Sequence, residues 1–193
     1  IAMMLKRLGY ENVICFTYGK PGNWEVKASK EIAEVLGYKW IFIPYSKQKW
    51  EQWFNSNKRK EYFNLVDGLS SLAHIQDHLA IAELNAQTLI PKDSIIIPGH
   101  TAFLSFSGYD KNSTNIEHIT TALFKKHYSL WGWSYKKSKL FKRQLKEKTY
   151  NILDVSKIHG QQIDNLFYQW ELRERHAKFI CNSVRAYEQF NYE

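Results

Sequence analysis

Two stretches decide the fold: Val13-Ile14-Cys15-Phe16-Thr17-Tyr18-Gly19-Lys20-Pro21-Gly22-Asn23, and Trp40-Ile41-Phe42-Ile43-Pro44-Tyr45. Residues 13–18 form a β-rich run without polar alternation, as a strand buried on both faces requires. Two glycines and a proline then make a loop over residues 19–23. Between the two runs, Val26, Ala28, Ile32, Ala33, Val35 and Leu36 recur at helical spacing, and Gly37 stops the helix. Strand, helix, strand with a crossover of this length predicts a βαβ unit with parallel strands.

Working outward, Met4, Leu5 and Leu8 ahead of Gly9 predict a helix over residues 1–8. Residues 48–65 and 71–89 read as two more helices. Ser94-Ile95-Ile96-Ile97-Pro98 reads as a third strand, followed directly by Gly99-His100-Thr101. Residues 102–115 are rich in Ser, Gly, Asn and Asp and read as a loop or lid. Beyond them the pattern is helical, over 116–127, 136–148 and one long helix from Ile163 to Tyr187. The expectation is one α/β domain over 1–193, with an α/β core in 1–115 and a helical portion in 116–193. The entry at Ile1, partway into a helix, reads as a fragment of a longer protein.

Composition narrows the class. The chain is 44% hydrophobic and 24% charged, which excludes a disordered chain. No apolar run reaches the roughly 20 residues of a membrane span. Cys15 and Cys181 sit in apolar contexts without zinc spacing and read as buried free thiols of a cytoplasmic protein. The net charge of +8 favours anionic partners. Its densest cluster is Lys136, Lys137, Lys139, Lys142, Arg143, Lys146 and Lys148, either a solvated basic face or a polyanion surface. His74 and His78 stand four apart as on zinc helices, but Ile75 occupies the position where the metalloprotease signature needs Glu, and no metal site is assigned. The seven tryptophans, among them Trp50, Trp53, Trp131 and Trp133, read as core or as stacking surface for sugars or nucleic acid.

In an open parallel sheet, ligands bind outside the carboxyl ends of the strands. The loops beginning at Thr17, Pro44 and Pro98 are the candidates, and glycine at two of them permits close backbone approach.

The whole pattern resembles the synthetase domain of asparagine synthetases, in the PP-loop (N-type) ATP pyrophosphatase group. The resemblance runs through the helix and entry Ile1 to Val13, then Tyr18-Gly19, Glu25, Ala28, Ile32-Ala33 and Leu36-Gly37. It continues in Ile95-Ile96-Ile97-Pro98-Gly99-His100-Thr101, Trp170 to Arg175, Lys178 and Asn182 to Glu188. It implies a parallel twisted sheet flanked by helices, like that of adenine nucleotide alpha hydrolases. It implies ATP and Mg2+ as cofactors and an adenylating ligase or amidotransferase that releases pyrophosphate. An acidic small molecule or sugar acid is the implied acceptor, with surface-polysaccharide synthesis as a setting. Phe16, Thr17, Tyr18, Gly19, Gly99 and Thr101 are the implied nucleotide-binding residues. His100 and Glu25 are the implied catalytic residues, and Arg173, Lys178 and Arg185 the implied phosphate or substrate contacts. Two departures accompany it. The family's Ser-Gly-Gly-x-Asp-Ser loop would lie before Ile1, so this stretch alone is expected to be inactive. The turn at Gly99 also lacks the carboxylates that help hold magnesium. The competing readings are a non-catalytic nucleotide- or nucleic-acid-binding relative and a tRNA-modifying relative.

Overall fold

The computed structural model describes residues 1–67, 71–99, 115–127, 138–153 and 163–193. The chain divides into two compact units, Ile1–Gly99 with Asn182–Glu193, and His100–Cys181. It is a mixed α/β protein with a two-stranded parallel sheet among the described residues.

The first unit is built on the predicted βαβ element. Helix α1 (Ala2–Arg7) leads through Gly9, at φ 82°, to strand β1 (Ile14–Gly19). Helix α2 (Trp24–Leu36) starts at Asn23, whose side chain accepts the Glu25 N–H, and ends at Gly37 in the left-handed conformation. Strand β2 (Lys39–Pro44) then pairs with β1 in parallel, from Ile14 opposite Lys39 to Gly19 opposite Pro44.

Both faces of this sheet are covered, which is why its strands lack polar alternation. One face carries Thr17 and Trp40 toward α2, where the Thr17 hydroxyl donates to Ser29 Oγ at 2.7 Å. The other carries Ile14, Phe16, Tyr18, Ile41 and Ile43 into the main core, with Trp53, Tyr62, Leu79, Ile81 and Leu84. A two-stranded sheet is marginal alone, so burial of these faces is what holds it.

The rest of the core comes from short helices. The single helix expected over 48–65 is two, α3 (Lys47–Phe54) and α4 (Asn57–Val66). Ser56 breaks it by capping α4, its hydroxyl accepting the Arg59 N–H at 3.3 Å and donating to the Trp53 carbonyl. The helix expected from Ser71 begins only at His78, as α5 (His78–Ala86). The expected third strand over 94–98 is not a strand. Ile96 donates its N–H to the Glu193 carbonyl at 2.6 Å and buries its side chain, while Ile95 and Ile97 stay exposed. Three isoleucines in a row signal β structure, but a strand also needs a neighbouring ladder, and here the chain terminus takes the backbone bond.

The second unit is helical where it is described. Helix α6 (Ile116–His127) and helix α7 (Lys139–Ile152) pack with α8 (Ile163–Trp170) around Ile119, Leu123, Leu153, Leu166, Phe167 and Trp170. Helix α7 starts at its Ser138 cap; Lys136 and Lys137 of the expected 136–148 helix lie outside the described residues. The long helix expected from Ile163 to Tyr187 is interrupted. After α8 the chain runs as a π-helix over Glu171–Ile180, then as α9 (Cys181–Ser183) and α10 (Arg185–Glu188). Sequence periodicity marks a helical segment but does not distinguish i→i+4 from i→i+5 bonding, which is rare and has no residue signature of its own.

Candidate functional site

The carboxyl ends of β1 and β2 lie side by side, because the strands are parallel and in register at Gly19 and Pro44. The Tyr45 N–H donates to the Gly19 carbonyl at 2.8 Å and closes that end. Gly19 takes φ 139°, and a Cβ there would meet no atom of the described residues within 4 Å. Its glycine character therefore serves backbone conformation, and it leaves open space over the α-carbon. Beside it, Tyr18 and Tyr45 stack with centroids 5.2 Å apart. Lys49 donates to the Pro44 carbonyl at 3.1 Å and pairs with Glu83.

The residues implied for nucleotide binding separate by strand alternation. Phe16 and Tyr18 point into the core and Thr17 bonds Ser29, so the side chains of this strand are engaged internally. What the strand end presents is backbone, at Gly19, followed by the α2 N-terminus. There Asn23 and Glu25 bond each other: Asn23 Oδ1 accepts the Glu25 N–H at 3.2 Å, and Asn23 Nδ2 donates to Glu25 Oε2 at 3.4 Å. Gly99 is exposed and does not take a positive φ. His100 and Thr101 lie outside the described residues.

The implied substrate cations fall in different units. Arg185, in the first, pairs with Glu188 at 3.4 Å. In the second, Arg173 donates to the Ile152 carbonyl and Lys178 pairs with Glu174. For Mg2+, no group of three or more His, Cys, Asp or Glu among the described residues is arranged to enclose a metal ion.

A polar cluster at the start of α5 escapes sequence reading. Asp77 is 2% exposed and accepts from the Tyr187 hydroxyl at 2.6 Å, and its other oxygen lies 2.9 Å from His74 Nδ1. Tyr62 donates to the His74 carbonyl at 2.6 Å. Tyr45 donates to the Gln76 carbonyl and accepts the Ala80 N–H, which ties the cluster to the end of β2. Burial by itself would raise the Asp77 carboxyl, but the hydrogen bonds from His74 and Tyr187 outweigh it and hold Asp77 below the usual carboxylate range. Burial and the Asp77 charge push the Tyr187 phenol up, so it stays neutral. A stabilised carboxylate and a neutral phenol make a weak base and a weak acid. The cluster is suited to locking the C-terminal segment onto α5. His74 and Asp77 are three residues apart, but Tyr187 is 110 residues from Asp77, and no local spacing announces that partner.

His78, one residue on, is not on a common helix face with His74, which lies before α5. Its Nδ1 accepts from Trp53 Nε1 at 3.0 Å and its Nε2 faces Gln189 Oε1 at 2.9 Å. Indole N–H only donates, so the imidazole is neutral with its proton on Nε2. Burial lowers the His78 pKa, against the opposing Gln189 bond and Asp77 charge and with help from Lys58. The unfolded chain therefore binds this proton more readily, and stability is lost as pH falls below about 6.5. Urea midpoints are expected to drop between pH 7.5 and 5.5, and H78Q should flatten that dependence. An equal slope in H78Q would show that another group titrates.

No protein-family model, curated protein or solved structure matches this chain.

Proposed function

We propose that this chain is the nucleotide-binding core of an ATP-dependent ligase or amidotransferase of asparagine-synthetase type, with ATP received at the carboxyl ends of β1 and β2. The observation that carries the reading is the parallel β1–α2–β2 crossover ending at Gly19 over open space. Such strand ends are where open α/β sheets take nucleotides. The N–H groups at the start of α2 add a positive dipole end beside them. ATP would activate a carboxylate or carbonyl oxygen, here of an acidic small molecule or sugar acid, with pyrophosphate as leaving group. The larger twisted sheet of adenine nucleotide alpha hydrolases belongs to the same proposal. Among the described residues no helix is long and apolar enough to cross a membrane.

Calorimetric titration of the chain with ATP tests it, with and without Mg2+. Saturable binding is expected, weakened at least tenfold in Gly19→Val, whose side chain would fill the open space and resist the positive φ. Circular dichroism establishes that the variant folds. Absence of ATP binding, or equal binding by a folded Gly19→Val, sinks the proposal. ATP binding without release of pyrophosphate would favour the non-catalytic relative.

A further inference from the structure

The division into units exposes a charge asymmetry. Residues 100–181 carry 14 Lys and Arg against 7 Asp and Glu, so seven of the eight excess positive charges fall in the second unit. Much of that excess is on α7, with five Lys and Arg and one Glu. Lys139, Arg143, Lys146 and Tyr150 recur at i, i+4, i+7 and i+11, which aligns them along one face. Arg143 is 70% exposed and Tyr150 is 41% exposed. Glu117 lies 2.8 Å from Lys146 and 3.2 Å from Lys142, and Glu147 lies 3.6 Å from Arg143. Surface ion pairs of this kind are weak, and two cations share Glu117, so the face keeps a net positive field.

We propose that this face of α7 is a docking surface for single-stranded nucleic acid, with Lys139, Arg143 and Lys146 along the phosphates and Tyr150 as a stacking platform. Two observations choose this partner among polyanions: the apolar face of the helix is occupied, and an exposed ring stands in line with the cations. A helix that lies on a membrane needs a free apolar face, and that of α7 is occupied: Leu145 is buried with Phe124, and Phe141 packs on them. The sugar rings of an acidic polysaccharide can lie on an exposed tyrosine, but they lack the π face with which a nucleobase stacks on it. A single strand uses both the cations and the ring, since cationic grooves with interleaved aromatics bind bases by stacking. The proposal is independent of ATP binding, because it rests on the second unit alone.

The test is fluorescence anisotropy of a fluorescein-labelled 20-nucleotide oligouridylate, without ATP, over a NaCl series. Binding is expected, with a log–log salt slope of about −2 to −3 for three or four neutralised phosphates. Lys139→Glu with Arg143→Glu should weaken it tenfold or more and make the slope shallower by about 1.4. Tyr150→Ala should weaken it about tenfold while Tyr150→Phe retains it. Circular dichroism checks that each variant is folded. No binding by the unaltered chain overturns the proposal. So does heparin, or a phosphatidylcholine/phosphatidylserine vesicle, binding as tightly as the oligonucleotide with Tyr150→Ala neutral, since that is the behaviour of charge alone.

Discussion

Replacing Asp77 with alanine is expected to destabilise the first unit by about 3 kcal/mol, because it strands two buried polar partners. The Tyr187 hydroxyl and the His74 ring are 3% and 4% exposed, and both meet Asp77. Tyr187→Phe removes one donor and leaves Asp77 with others, so a smaller loss of about 1 kcal/mol is expected. The two changes share a contact and should not add; the double variant should fall short of the sum by about 1 kcal/mol. Amide hydrogen exchange should accelerate most over residues 182–193, whose attachment runs through Tyr187, Gln189 and the Glu193 carbonyl. The pH dependence carries a sign. The native Asp77 pKa is depressed, so its contribution is present above about pH 4 and is lost as pH falls below that. Unchanged exchange over 182–193 in Asp77→Ala would remove the lock from the account of this fold.

In the second unit, Glu171→Ala should cost about 3 kcal/mol. The Glu171 carboxylate is 1% exposed at the start of the π-helix. One of its oxygens is 3.0 Å from Lys126 Nζ and 3.2 Å from His127 Nε2, and the other is 3.5 Å from Arg175. Burial would raise its pKa, but the His127 and Lys126 hydrogen bonds and their charges prevail and bring it down to about 2. Its contribution is thus complete above about pH 4.5 and disappears as pH falls from there toward 2. Without it, the cations face one another with no carboxylate between. Glu171→Gln keeps the shape and should still lose about 2 kcal/mol, with a weaker response to acid. Hydrogen exchange over residues 116–127 and 163–181 reads the effect. Protection there equal to that of the unaltered chain would mean that the π-helix does not depend on this charge cluster.

The two sites differ in how far sequence reading reaches them. The β1–α2–β2 element was legible because every signal for it is local: β-rich runs, a loop with two glycines and a proline, helical spacing from Val26 to Leu36, and Gly37 as a stop. The run at 94–98 failed on the same criteria, because three isoleucines state a preference but not a partner. The break at Ser56 was not read either, since a hydroxyl in a helical pattern becomes a break only when it caps the next helix. Of the implied site residues, Thr17 illustrates the limit. Its place at the end of a strand was readable, but its bond to Ser29, twelve residues on, was not.

Residue order alone carried the parallel βαβ unit, the helices of the second unit where it is described, and the basic stretch at 136–148, all written in short local periodicities. Packing set the pairing of distant groups: Asp77 with Tyr187, Glu171 with Lys126, Ile96 with Glu193. It also decided the confinement of nearly all the excess charge to one unit. The physical reason is one of range. Propensity, capping and amphipathic spacing act within a few turns. Burial of polar groups obliges each to find a partner wherever packing brings one, and that depends on the whole chain.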